Sequence, residues 1–190
     1  MIKKQIQDSI NLKSKLLEDN NFINLIQKVS DICIEAYKLN NKTLFAGNGG
    51  SAADSQHLAG EFVSRFYFDR PGLASIALTT DTSILTAIGN DYGFDQLFSR
   101  QIEALGCSGD VFFAISTSGN SKNIIESLKK AKQKNIITIG FTGKTGGKMI
   151  DLCDYCFQVP SNDTPRIQEC HIMIGHIICS IVEKNLFDFK

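Results

Sequence analysis

The sequence predicts a doubly wound α/β domain with a mostly parallel sheet and a helical N-terminal extension. Three observations carry that expectation. Short, continuous apolar runs alternate with amphipathic segments, the pattern of a parallel sheet covered on both faces. Several of these runs end directly in glycine- or hydroxyl-rich loops, where such sheets bind ligands. The first forty residues show helical periodicity alone.

Taken in order, Ile2, Ile6 and Ile10 recur at i, i+4 and i+8, followed by Leu16 and Leu17, until Asp19, Asn20 and Asn21 break the pattern. A second stripe follows through Phe22, Leu25, Ile26, Val29, Ile32, Cys33 and Ala36. Residues 1–40 therefore read as a helical hairpin that needs cover from the rest of the chain or from another subunit, and are assigned to oligomerisation; residues 41–190 form the α/β unit. In that unit, strands are expected over 43–46, 73–78, 110–115, 136–141 and 155–159. Helices are expected from the first glycine loop to about residue 66, over 83–88, 96–104 and 122–134, near residue 149, and from about 165 to 186. Residues 171–182 are apolar nearly all round and suit a subunit interface, with the central helix of a monomer as the alternative reading.

Composition excludes several classes. Twenty Lys plus Arg balance twenty Asp plus Glu across 190 residues, so the basic field of a nucleic-acid binder is missing. No apolar run of membrane-spanning length is evident. The start lacks the apolar core of a signal peptide. A cytoplasmic protein with no nucleic-acid or membrane partner is the expectation. The six cysteines read as free thiols, and the close pair Cys153 and Cys156 as packing.

Two loops suit an anion. Gly47, Asn48, Gly49, Gly50 and Ser51 let the backbone approach a ligand closely. Ser116, Thr117, Ser118, Gly119, Asn120 and Ser121 add hydroxyls to helix-start amides, and together the loops fit a phosphate. The plainer reading is that these hydroxyls cap the next helix. Gly47, Gly49 and Ala52 meet the relaxed dinucleotide fingerprint, but the acidic residue that fingerprint wants comes no earlier than Asp81 after the next strand. Gly143, Lys144 and Thr145 resemble a Walker tail whose first glycine would fall on Thr138.

His57, Glu61 and Arg65 lie at i, i+4 and i+8 on one otherwise apolar helix. Each step drifts by roughly 40°, so the three form one tilted stripe. An exposed ion pair worth roughly 0.3–0.5 kcal/mol explains Glu61 and Arg65 without function. His and Glu one turn apart also suit a divalent metal or an acid/base pair. The last helix offers Gln168, Glu169, His171 and His176, two of the chain's three histidines among them.

Taken together, residues 47–54, Gln56, His57, Glu61 and Phe62, Arg70 to Gly72, residues 85–91, residues 116–121, and Arg166 to Glu169 with His176 resemble the phosphoheptose isomerases of the sugar-isomerase (SIS) fold, a Rossmann-like sheet. The resemblance runs almost the full length. It implies conversion of sedoheptulose 7-phosphate into D-glycero-D-manno-heptose 7-phosphate, the first step toward bacterial heptose for lipopolysaccharide or capsule. It also implies a homotetramer with active sites between subunits. One zinc ion per subunit would be held by His57, Glu61, Gln168 and His176. Substrate would touch Asn48, Gly49, Gly50, Ser51, Glu61, Arg65, Asn90, Asp91, Ser116, Thr117, Ser118, Ser121 and Gln168. One departure stands out: Pro165 precedes Arg166 where some relatives carry an acid.

Gln168 and His176, on one straight helix, are separated by roughly 12 Å along its axis. Either the helix begins after Gln168 or one of the two comes from another chain, and the second is expected. Aldose–ketose isomerisation needs a base at carbon and a proton shuttle between oxygens; Glu61 is assigned the first role and His176 the second, and His171 is read as structural. Two other functions compete: a non-catalytic tetramer of this fold that binds the replication initiator, and a sugar-phosphate sensor. The relative that binds the initiator lacks the acid and histidine matching Glu61 and His176.

Overall fold

Strand order decides where a ligand can enter. The computed structural model, which describes residues 1–187, contains five strands: β1 (Thr43–Gly47), β2 (Ser75–Ala77), β3 (Val111–Ile115), β4 (Ile137–Thr142) and β5 (Tyr155–Gln158). All pair in parallel, in the order β2-β1-β3-β4-β5. The order reverses between β1 and β3, and sheets of this kind bind ligands beyond the carboxyl ends at such a point. Gly47 is paired with Ile115, so the glycine loop and the serine loop start side by side. The last three positions of the 41–190 unit lie outside the described residues.

Both central strands are buried along their whole length, which is why they are apolar without alternation. Their side chains still alternate between two cores. Phe45, Val111, Phe113 and Ile115 face a core shared with the helices on one side, while Leu44, Ala46, Phe112 and Ala114 face the other. On the first face, rings stack from Phe45 to Phe113 (4.7 Å), then edge-on to Phe141 (5.8 Å) and Phe157 (5.1 Å). Each such burial stabilises the sheet by roughly 1.5–3 kcal/mol.

The N-terminal helices are α1 (Ile2–Glu18) and α2 (Asn20–Lys38). The polar break between them is a cap: the Asp19 carboxylate accepts the N–H groups of Asn21 and Phe22. The α2 stripe packs as its periodicity predicts, burying Phe22, Ile26, Val29 and Cys33. The isoleucine stripe of α1 does not. Leu12 and Leu16 turn inward, whereas Ile2, Ile6 and Ile10 are exposed in the single chain.

Next come α3 (Gly50–Val63), α4 (Thr82–Asp91), α5 (Ser99–Leu105), α6 (Lys122–Gln133) and α7 (Thr164–Phe187). Short 3-10 turns lie at Phe94–Gln96 and Gly147–Met149. Several boundaries differ from expectation: β2 covers Ser75–Ala77 rather than 73–78, and α5 begins at Ser99 rather than at 96. Helix α3 stops at Val63 rather than near residue 66, because the Arg70 guanidinium takes the carbonyls that would continue it. Helix α4 runs on through Gly89 and Asn90, since a single glycine near a helix end is a small penalty.

Helix α7 is, by length and apolarity, a segment able to cross a membrane, which amends the expectation that the chain has no such run. Its placement explains the composition. Ile167, Cys170, Ile174, Ile178 and Val182 are buried in the core. It lies close on α3 because Gly175 has no side chain; a Cβ there would come within 2.5 Å of Leu58. Ile177 is left facing outward.

Candidate active site

Helices α3 and α7 converge on three side chains. His57 and Glu61, one turn apart on α3, meet His176 of α7, and one donor atom from each lies within 4.8 Å of the others. His57 Nε2 is 3.2 Å from Glu61 Oε1 and 2.8 Å from His176 Nε2. Burial, followed by the nearby His57, pulls His176 below its ordinary value of 6.5, and the Glu61 carboxylate opposes them. Two imidazole nitrogens and a carboxylate oxygen are a donor set for a divalent transition metal with a coordination position left open. Beside them an open depression of about 620 Å³ lies between His57, Glu61, Ser64 and Arg65.

The second part of the site is the pair of loops. Gly49 begins α3 at φ +57°, a conformation that favours glycine, and provides no side-chain cap. Ser121 precedes α6 and provides none either, unlike Asp19 before α2 and Asp81 before α4, which cap with their carboxylates. The reading of the serine loop as a cap therefore fails. Its hydroxyls face one another instead: Ser116 Oγ lies 3.0 Å from Ser121 Oγ and 3.4 Å from Ser118 Oγ. First-turn amides without a side-chain cap beside three hydroxyls are a donor set suited to an anion. Asn48 and Asn123 clamp the loops together by exchanging two amide hydrogen bonds of 2.9 Å.

The remaining expected residues fall in distinct places. Arg65 lies just past the end of α3 but lines the same depression as Glu61. Thr117 accepts the Gly143 N–H with its carbonyl, which braces the serine loop. Ser51 is buried in the first turn of α3. Asn90 and Asp91 sit at the exposed end of α4, hydrogen-bonded to each other at 2.8 Å; among the described residues they bond to neither loop. Gln168 stands apart from the metal-type group. Its amide rests on Gly50, where a Cβ would come within 2.5 Å of Nε2. Because α7 is continuous from Thr164, a helix start after Gln168 is excluded. Glu61 and His176, by contrast, belong to one protomer. His171 points into the core, its Nε2 3.1 Å from the Thr142 carbonyl and its Nδ1 without a partner among the described residues.

Sequence reasoning missed two polar residues. Asn123, buried inside the first turn of α6, was signalled only by being polar at a core-facing position. Asp54 has a buried carboxylate oxygen with no partner among the described residues. Burial pushes its carboxyl up to about 6, against the opposing influence of His57. It follows Gly50 by four residues and precedes Glu61 by seven, so it shares the helix face that carries both.

A phosphate-type loop pair at the switch point of a parallel sheet, beside a His/Glu/His group, defines a sugar-phosphate-handling domain, and the SIS domain family matches residues 6–143. The chain is 67% identical over 98% of its length to phosphoheptose isomerase 2 of Campylobacter jejuni, covering 92% of that protein. It is 65% identical over its whole length to the phosphoheptose isomerase of Aneurinibacillus thermoaerophilus, covering 96%. Phosphoheptose isomerase GmhA from Neisseria gonorrhoeae superposes with a TM-score of 0.90 at 41% identity, over 96% of this chain and 97% of that one. The chain belongs to the phosphoheptose isomerase family of SIS-domain proteins.

Proposed function

We propose that the chain isomerises sedoheptulose 7-phosphate to D-glycero-D-manno-heptose 7-phosphate. One observation carries the reading: Glu61 and His176, far apart in sequence, meet in one protomer beside an open depression. Glu61 removes the C1 proton of the ketose, and the resulting enediol is reprotonated at C2. His176 moves the hydroxyl proton between the oxygens on C1 and C2. The serine loop and the α6 amides hold the phosphate, so that binding energy at the far end of the sugar orients the reacting carbons. Asn48, Gly49, Gly50 and Ser51 form the opposite wall, while Arg65, Asn90, Asp91 and Gln168 bind the polyol.

His57, Glu61 and His176, with Gln168 of a neighbouring subunit, would hold one zinc ion per subunit, and when bound it would supply Lewis-acid polarisation of the substrate's oxygens. The assembly is a homotetramer with active sites between subunits, and residues 1–40 mediate it. Exposed Ile2, Ile6 and Ile10 on α1 and outward Ile177 on α7 support that arrangement. The protein acts in the cytoplasm and supplies heptose for lipopolysaccharide or capsule. A role confined to binding a replication initiator, or to sensing sugar phosphates, leaves the Glu61–His176 pair without a purpose.

The test is incubation of the purified protein with sedoheptulose 7-phosphate and chromatographic separation of the isomeric product. An aldoheptose 7-phosphate is expected, lost on chelation and recovered with zinc. No interconversion under either condition overturns the reading.

A further inference from the structure

A buried ion pair holds the end of α3, and no step of the reaction uses it. The side chains of Arg70 and Glu183 are each 1% exposed, with Arg70 Nε donating to Glu183 Oε1 at 3.0 Å. The other guanidinium N–H groups go to backbone carbonyls at the end of α3 and just beyond it. Nη2 donates to Glu61 (2.9 Å); Nη1 donates to Phe62 (2.6 Å), Ser64 (3.1 Å) and Pro71 (3.0 Å). Glu183 also accepts the N–H groups of Phe66 (2.8 Å) and Tyr67 (2.7 Å). Burial alone would raise the Glu183 carboxyl, but these two donors and Arg70 outweigh it and hold it below its ordinary value. The pair is therefore charged and fully engaged.

Its two ends matter for the site. One end grips the peptide carbonyl of Glu61 itself. The other is planted on α7 two turns beyond His176. The packing of Leu58 against Gly175 is apolar and hence non-directional, so it tolerates sliding, and the polar contacts between α3 and α7, His57 with His176 and Gln168 over Gly50, belong to the site that has to be assembled. A guanidinium fork fixes direction as well as distance. We infer that Arg70 and Glu183 are positioning residues that set α3 in register against α7 and so assemble His57, Glu61 and His176 into one metal-binding group. The inference rests on the functional reading above for its effect on turnover, but not for its effect on metal binding.

The test compares Glu183→Gln and Arg70→Lys with wild type and with Leu128→Ala. Leu128 lies in the core on the opposite face of the sheet, so that variant reports loss of stability alone. Metal-stripped proteins are titrated with cobalt(II), reading affinity and the visible absorption bands, and kcat and KM are measured on sedoheptulose 7-phosphate, all below each variant's melting temperature. Both brace variants are expected to lose about tenfold or more in cobalt affinity and in kcat, with shifted cobalt bands and a smaller change in KM. Leu128→Ala should melt earlier yet keep wild-type bands, affinity and kcat. Arg70→Lys keeps the charge facing Glu183 while losing the fork, so it serves if Glu183→Gln does not fold. Brace variants that melt earlier but bind cobalt and turn over like wild type overturn the inference. Wild type that binds cobalt without isomerising the heptose phosphate overturns the functional reading instead, and the brace is then judged on the cobalt bands and affinity.

Discussion

The Nε2 atoms of His57 and His176 lie 2.8 Å apart across the α3–α7 contact. At that distance one ring donates and the other accepts, so protonating both places two N–H groups against each other. Burial and His57 hold His176 below its ordinary value against the opposing pull of the Glu61 carboxylate, so its neutral form persists further into acid than a free imidazole's. Metal ligation needs neutral imidazole. Zinc affinity should therefore fall as pH is lowered from about 8 to about 5, with the part due to His176 coming at lower pH than an ordinary imidazole would give. A His176 imidazole that titrates by NMR in the metal-free protein at or above the ordinary value would overturn the expectation.

Glu61 is the only carboxylate in the His/Glu/His group, and 22% of its side chain is open to the depression, enough for contact with a sugar. Glu61→Gln keeps the size and an oxygen donor but removes the carboxylate proposed as the base. Steady-state kinetics should show kcat reduced by about 10²–10⁴-fold with a much smaller change in KM. Near-normal turnover would move the base elsewhere.

The strands and the loops that follow them were legible because both have local causes. Burial on both faces of β1 and β3 makes their apolar runs continuous, and glycine or hydroxyl residues suit the loops that follow if these take an anion. The pairing of His57 with Glu61 was legible from helical spacing. His176 was legible as a polar group on an apolar helix, but not its partner, because the approach of α3 to α7 depends on Gly175 and their register on Arg70 with Glu183, none of which carries a periodic signal. Gln168 illustrates the limit: its sequence neighbourhood suggests a ligand, while its place over Gly50 depends on where α7 begins. The α1 isoleucines show the reverse error, since a clean periodic stripe does not say whether its own chain covers it.

The three clustered hydroxyls of the serine loop give the phosphate reading a sharp test. Ser116→Ala and Ser121→Ala each remove one donor at about 1–1.5 kcal/mol, close to tenfold in kcat/KM. That loss should appear with sedoheptulose 7-phosphate and vanish with unphosphorylated sedoheptulose, which presents nothing to the loop. Equal losses on both substrates would place the loop at the sugar rather than the phosphate.

His171 makes stability depend on acid. Burial pulls its imidazole down to about 4, partly offset by the hydrogen bond to the Thr142 carbonyl. The folded value lies below the unfolded one, so the unfolded chain binds the proton first. This contribution is complete above 6.5 and is lost as pH falls toward 4, by up to about 3 kcal/mol. The Thr142 carbonyl also accepts the Val159 N–H at 3.1 Å, and His171→Leu leaves it satisfied while removing the unpartnered Nδ1. Urea midpoints should therefore fall less between about pH 7 and pH 4.5 in the variant than in wild type. An unchanged slope would assign the acid sensitivity to other groups.

Mixed oligomers can separate what one protomer supplies from what its neighbour supplies. Glu61 and His176 share a protomer, so a blend of Glu61→Gln and His176→Ala subunits repairs no site and should remain inactive. Gln168 differs: roughly 12 Å of helix divides it from His176, and in its own chain it leans on Gly50. If it serves a neighbour's metal group, blending equal amounts of Glu61→Gln and Gln168→Ala subunits recreates an intact combination at about a quarter of the sites by random assortment. Activity should rise to that level after the separate variants are unfolded and refolded together. Silence in this blend, with each variant folded and in the same assembly as wild type, would mean that Gln168 works inside its own protomer on substrate at the glycine loop, and the metal group would then stand on three protein ligands.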